Sequence, residues 1–231
     1  MKAERSVDQI FIATGSQMKG PVGEIRKRAE SYSVPVRMVP RSEIDKMASG
    51  LNHQGVAALT TAFRYAPLDG VLAQPDPLVL FLDGVTDTHN LGSLLRTVDG
   101  AGWSGVVIPN RRSAGVTATV RKISAGAAEV VPVSRVTNLG RAIDEAKKVG
   151  LWAVGLDPEA PEDIWSTELF EPPLALVLGA EGKGISPGVR AHCDAMVRIE
   201  SGGRLESLNV AVAGAIAMYE VARRRAASAT L

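Results

Sequence analysis

Ile199-Glu-Ser-Gly-Gly-Arg-Leu-Glu-Ser-Leu-Asn-Val-Ala-Val-Ala-Gly-Ala-Ile-Ala-Met-Tyr219 is the stretch whose reading decides the fold. It starts as the end of an apolar strand and passes through Gly202 and Gly203, where missing side chains let a ligand approach the backbone closely. It continues as an Ala-rich helix. Ser207 and Asn209 fall at the transition, where polar side chains and free backbone N–H groups face a crevice. Ala211, Ala213, Gly214, Ala215 and Ala217 keep the helix slender, so it is expected to be buried on more than one side.

Upstream the same strand, loop and helix rhythm repeats from Leu78 onward. Strands are expected at 78–82, 105–108, 130–133, 151–155, 174–178 and 195–199, and helices at about 90–101, 116–126, 137–148, 186–192 and 208–225. Nearly all-apolar strands alternating with helices imply an α/β fold, a mostly parallel sheet with helices on both faces. Ligands of such sheets bind beyond the carboxyl ends of the strands. Residues 1–65 read as a separate small α/β module. It has a strand at 7–13, an amphipathic helix at 22–32 carrying Arg26, Lys27 and Arg28, a short strand at 36–39, a helix capped by Ser42, and a β-prone run at 55–63. Residues 66–77, with three prolines and a glycine, read as a linker, which leaves 78–231 as the second domain. The tail from Arg223 is expected to fray, its basic run a charge bias at a helix C-terminus.

Composition narrows the function classes. The chain has 231 residues, 45% hydrophobic and 22% charged, in the range of a soluble globular protein. No apolar run approaches the ~20 residues of a membrane span, and the first residues lack the apolar core of a signal peptide, so a cytoplasmic location and no membrane partner are expected. Cys193 is the only cysteine, which rules out an intrachain disulfide and a Cys-based metal cage. His53, His89 and His192 show no metal-ligand spacing, and no metal is expected. Net charge is +1, yet residues 1–66 hold 10 Lys/Arg against 6 Asp/Glu, making the N-terminal module the better candidate to meet a polyanion.

Three loops follow strand ends. The first, Leu82-Asp-Gly-Val-Thr-Asp-Thr-His-Asn-Leu-Gly-Ser-Leu-Leu-Arg96, offers Asn90 as helix N-cap and Arg96 six residues on. These do not share a helix face, so a common target requires Asn90 to act from the cap. Read alone, the loop is more simply a capped helix with an exposed arginine. The second, Leu178-Gly-Ala-Glu-Gly-Lys-Gly-Ile-Ser, is a glycine cradle with Glu181 inside it. It lacks the spacing of a nucleotide-triphosphate loop or a dinucleotide fingerprint, and Ser186-Pro187 suits a helix start. The third is Ser207-Leu-Asn-Val-Ala-Val-Ala213.

Together, Asn90-x-Gly-x-x-x-Arg96, Leu178-Gly-Ala-Glu-Gly182 and Ser207-Leu-Asn-Val-Ala-Val-Ala213 resemble the three signature motifs of the SpoU (TrmH-like) RNA ribose 2′-O-methyltransferases, in order and in spacing. The resemblance covers 78–225 and is closest to the branch that methylates a guanosine of large-subunit ribosomal RNA. Asn52-His-Gln-Gly-Val-Ala extends it to that branch's small L30e-like RNA-binding domain. It implies S-adenosylmethionine as cofactor, a C-terminal trefoil-knot cofactor site, RNA as partner and a homodimer. Carried over, Leu178, Gly179, Gly182, Ile199 and Leu208 would hold the cofactor, and Asn90, Arg96, Glu181, Ser207 and Asn209 would form the catalytic set. A guanidinium is a poor base, so Arg96 is expected to clamp phosphate and stabilise the alkoxide. A transfer-RNA ribose as substrate and a non-catalytic RNA-binding role are the alternatives. Two departures stand out: Glu200 replaces the proline usual after the isoleucine, and the small module starts at its first strand, without the helix that usually precedes it, which leaves a shortened domain or a misassigned start as the readings.

Overall fold

The computed structural model describes residues 7–171, 173–200, 203 and 207–228, so Ser201, Gly202 and the residues from Arg204 to Glu206 of the opening stretch lie outside the described residues. The chain divides into two compact units, Met1–Phe63 and Arg64–Leu231.

In the first unit the elements are β1 (Val7–Ala13), α1 (Gly20–Ser31), β2 (Val36–Val39), α2 (Arg41–Ala48) and β3 (Val56–Thr60). β1 is central, with β2 parallel on one side and β3 antiparallel on the other. Side chains alternate between the faces of a strand, and here each face meets one helix. Ile10 and Ile12 pack with Ala29 of α1, while Phe11 and Ala13 pack with Val39 and Ile44 of α2. Pro40, not Ser42, stands at the N-cap of α2, since its fixed φ starts the helix one residue after the strand ends.

The second unit holds α3 (Leu68–Leu72), β4 (Leu78–Asp83), α4 (Thr88–Gly100), β5 (Gly105–Pro109), α5 (Ala118–Ile123), β6 (Val133–Val136), α6 (Leu139–Lys148), β7 (Trp152–Leu156), β8 (Glu162–Asp163), β9 (Leu174–Gly179), α7 (Pro187–Arg190), β10 (Ala195–Arg198) and α8 (Val210–Ser228). Its seven strands run in the order β6-β5-β4-β9-β7-β10-β8, and every pairing in this sheet is parallel. Leu78 through Leu82 are all buried, as both faces of the sheet are covered. On one face Val79, Phe81, Ala175 and Val177 pack with Val71 of α3 and with Leu139, Ala142, Ile143 and Ala146 of α6. On the other, α8 lies against α4 and β9.

Several expectations change. Residues 66–77 carry structure of their own: Ala66 bridges to Ser134, and α3 buries Val71 and Leu72 in the sheet's core. The prolines there frame a short helix. β6 begins at Val133 because Pro132 has no N–H to give a ladder and a 3₁₀ turn occupies Ala127–Glu129. β8, two residues long, carries no pattern to read.

The slenderness of α8 has a definite site. A Cβ on Gly214 would stand 2.7 Å from both Leu178 Cδ1 and Leu94 Cδ2, so the glycine lets the helix touch β9 and α4 at once. The helix is not enclosed, however, since Val212 is 49% and Tyr219 54% exposed. Nor does the tail fray at Arg223, for α8 continues to Ser228. Arg224 donates to Glu220 at 2.7 Å and to the carbonyls of Ile164, Trp165 and Thr167, and it stacks over Phe170. This one guanidinium fastens the excursion around residues 164–170 to the last helix.

The Arg223 hydrogen bond and then that of Arg224 hold buried Glu220 down at about 2, against an ordinary 4.5. A depressed carboxyl stabilises the fold fully above its unfolded pKa and loses that contribution as pH falls through the folded value. Glu220→Gln is therefore expected to cost about 2–3 kcal/mol at neutral pH. That lies just below the ~3–5 kcal/mol of a broken buried pair, because exposed Arg223 is screened by water. In urea titrations the gap to the parent protein should narrow as pH is lowered from about 5 towards 2, and a pH-independent gap would show that the charge is not responsible.

Candidate active site

β9 sits between β4 and β7, so the loop after β9 opens beside the loop that leads from β4 into α4. Asp87 caps α4, accepting the backbone N–H of His89 at 2.5 Å and of Asn90 at 3.2 Å. The cap therefore belongs to Asp87 and not to Asn90 as the spacing suggested. The signal was present, an Asp in the residue class that favours N-caps. Asn90 lies inside the first turn, its side chain free to reach across. Its Nδ2 donates to Glu181 Oε1 at 3.1 Å.

The third loop closes the group. Asn209 Nδ2 donates to Glu181 Oε1 at 2.5 Å and to Asn90 Oδ1 at 3.0 Å. Asn209 Oδ1 accepts the N–H of Ala211 at 2.9 Å and of Val212 at 3.2 Å, which caps α8. Val210 N–H also points to Glu181 Oε1, at 3.4 Å. Thus the carboxylate stands at a helix N-terminus, where unpaired N–H groups favour a negative charge. Three side chains 28 to 119 positions apart in sequence share one network, close to solvent.

The cradle that presents Glu181 is fixed by backbone geometry. Residues 180–184 turn back on themselves, with Gly184 N–H donating to Ala180 O at 2.8 Å and with φ of +71° at Gly182 and +63° at Gly184. A Cβ on Gly179 would lie 2.0 Å from the carbonyl carbon of Gly184, so only glycine fits there. Asp83, at the end of β4, holds the far side of the loop by accepting Ser186 N–H at 2.7 Å. The motif reading quoted Asp83 but gave it no role.

Of the remaining candidates, Leu178 is buried at 2% exposure and can offer only its backbone to a ligand. Ile199 is half-buried just past β10, and Leu208 is an exposed apolar side chain beside Asn209. Ser207 and Glu200 are exposed. Arg96 is not brought to the network. It is exposed on α4, about 9 Å along the axis and roughly 240° around the helix from Asn90, and has no hydrogen-bond or ion-pair partner among the described residues. Burial pushes the Cys193 thiol up to about 11, so it is protonated at neutral pH and no nucleophile. His53 is bonded to Asp45 and His192 to Asp144, each at 2.7 Å. Beside the network a cleft of about 1100 Å³ is bordered by Asn90, Glu181 and Val210. None of Leu178, Gly179, Gly182, Ile199 and Leu208 lines it.

Comparison with known proteins fits this geometry. Residues 77–219 match the SpoU rRNA Methylase family, and residues 1–66 match the RNA 2′-O ribose methyltransferase substrate-binding domain. A Bacillus subtilis (strain 168) protein of the TrmH family of tRNA/rRNA methyltransferases is 41% identical over 230 residues, 97% of this chain and 91% of that one. A Staphylococcus aureus (strain COL) relative of the same family is 44% identical over 224 residues, covering 95% and 89%. Among solved structures, the SpoU methyltransferase AviRb from Streptomyces viridochromogenes in complex with AdoMet superposes with a TM-score of 0.82 at 23% identity, covering 97% of this chain and 85% of that one.

Asn209→Ala removes the α8 cap and is expected to cost about 1 kcal/mol. Asn209→Asp keeps the cap's acceptor but sets a second carboxylate against Glu181. Like charges at that distance raise a carboxyl pKa, so this variant should gain stability relative to the parent as pH falls from about 7 to 5. Denaturant melts at the two pH values read the difference.

Proposed function

Because the chain belongs to the SpoU rRNA methylase family, we propose that it transfers a methyl group from S-adenosylmethionine to a ribose 2′-hydroxyl of RNA, most specifically a guanosine of 23S-type ribosomal RNA. The observation that carries the reading is the Asn90, Glu181 and Asn209 network, one polar group drawn from three motif loops at the carboxyl edge of the sheet. A transfer-RNA ribose is the second reading, favoured by the mixed tRNA/rRNA naming of the relatives.

The residues at the strand ends suit the cofactor. Backbone at Leu178 and Gly179, the turn at Gly182, half-buried Ile199 and the exposed apolar Leu208 would hold an adenosyl group through amide hydrogen bonds and apolar contact. When bound, the cofactor supplies a methyl already activated for displacement. The protein must then orient the hydroxyl and manage its proton. Glu181 spends one oxygen on three N–H donors, so it sets the positions of Asn90, Asn209 and the start of α8. Ser207, next to this group and exposed, is a further polar contact for the ribose. The proton leaves to an RNA phosphate or a water, and a guanidinium stabilises the alkoxide that forms.

Arg96 is the guanidinium proposed for that step, and its exposed position on α4 suits delivery into a second copy's site. The working unit is therefore proposed to be a homodimer. The exposed Val212 and Tyr219 of α8, the helix packed beside α4, give such a pairing apolar surface.

Labelled S-adenosylmethionine should mark a ribose oxygen of protein-free ribosomal RNA, and label on a base, or no cofactor binding by calorimetry, would overturn the reading. Arg96→Ala should abolish transfer with cofactor affinity held within a few-fold. Mixed with equally inactive Asn209→Ala protein, it should recover up to about a quarter of parental activity, because half of randomly paired dimers regain one intact site. No recovery would place Arg96 in its own chain's site.

A further inference from the structure

The cleft beside the network is larger than one polar cluster requires. At about 1100 Å³ it stands at the upper limit of the ~300–1,000 Å³ usual for a small-molecule site, which leaves room for more than a single mononucleotide.

Its charged groups differ in how far their hydrogen-bonding capacity is used. Three acids border it, and each is already engaged. Asp83 accepts Ser186 N–H, Asp87 caps α4, and Glu181 takes the donors of Asn90, Asn209 and Val210. Three cations border it as well: Arg111, Arg112 and Lys183. All three are exposed, and none of their side chains has a hydrogen-bond or ion-pair partner among the described residues. The acids accept from neutral groups and keep their charge, so what the cleft offers an anion is not an excess of positive charge but three cationic groups whose donors are unspent.

The backbone that carries the arginines is held in place. Asn110 N–H donates to Val136 O at 2.7 Å, and Arg135 Nη2 donates to Asn110 O at 3.0 Å. Four residues on, Ala114 N–H donates to Val85 O at 2.8 Å. Between these anchors Arg112 adopts a φ of +57°, a left-handed conformation that costs a residue with a Cβ about 1–2 kcal/mol. A loop whose backbone is pinned at both ends and strained between them fixes where its two arginine side chains leave the main chain beside the cleft, while the exposed guanidiniums stay free to turn toward a ligand. Planar guanidiniums hold phosphate oxygens bidentately.

We propose that this cleft seats a single-stranded segment of the RNA, with Arg111, Arg112 and Lys183 clamping the phosphodiesters on either side of the nucleotide presented to Asn90 and Asn209. The clamp rests on the function proposed above for its substrate class, but binding alone can test it.

The probe is a short unstructured oligoribonucleotide, its affinity for the full chain read by fluorescence anisotropy across a salt series, with cofactor affinity read by calorimetry in parallel. The paired variant Arg111→Ala/Arg112→Ala should weaken RNA binding at least tenfold and flatten the logarithmic salt slope by about 1.4, the value for two phosphate contacts on a single strand. Cofactor affinity should stay within twofold. Arg111→Lys/Arg112→Lys should keep most of the slope while recovering only part of the affinity, since lysine is a point charge without the planar fork. In transfer assays the alanine pair should raise KM for RNA far more than it lowers kcat. Unchanged affinity and slope, failure of the parent protein to bind the oligonucleotide, or cofactor binding lost with RNA binding intact would each overturn the clamp. RNA binding that depends on the two arginines without any methyl transfer would uphold the clamp and overturn the methyltransferase reading.

Discussion

One carboxylate oxygen ties the site to the fold. Glu181 Oε1 receives N–H groups from α4, from the residue that caps α8, and from the first turn of α8 itself. Without that acceptor the start of the last helix would have a free N–H beside a loop rich in glycine, and the two asparagines would have no common partner. A charged acceptor strengthens each bond relative to a neutral one, which matters here because the group lies close to water. The positions of α8, the glycine cradle and the front of α4 are therefore mutually dependent.

Much of this was legible in the sequence. Apolar runs at strand length, alternating with helical patterns, gave the parallel sheet, because a sheet covered on both faces needs apolar side chains throughout. The three loops could be singled out because each places glycine or a short polar side chain directly after such a run. Strand order was not legible: nothing local in 174–178 says that it inserts between β4 and β7. Nor was the capping of α4, where Asp87 and Asn90 both belong to the residue class that caps helices and only geometry distinguishes them. The binding role of Arg224 was hidden for a similar reason. A basic run near a helix end suits a charge bias in solvent just as well as a guanidinium folded onto carbonyls 57 to 60 residues earlier in the chain. The cleft cations escaped notice because Arg111, Arg112 and Lys183 lie on two different loops, and charge counted over long segments averages them against acids that are already engaged.

The two ends of the site also differ in how they are stiffened. At the glycine cradle, shape is imposed by missing atoms: Gly179 has backbone where a Cβ would be, and Gly214 lets α8 approach Leu178 and Leu94. On the cleft side it is imposed by anchors, with Asn110 and Ala114 bonded to neighbouring strands and loops. Sites held to productive geometry in this way lose less freedom when a ligand arrives.

The central place of β9 also governs how the chain comes together in time. β4 finds β5 within a few tens of residues, but its other edge pairs only with β9, whose register begins at Leu78 with Leu174. A strand apolar over its first five residues thus keeps one row of backbone donors and acceptors unpaired while about ninety residues emerge from the ribosome, roughly 5 to 20 seconds at ~5–20 residues per second. Open apolar edges invite pairing with other chains. Closure of the sheet, arrival of the glycine cradle and completion of the crevice are consequently one late event, and the nascent protein has no functional site until its last quarter has been made.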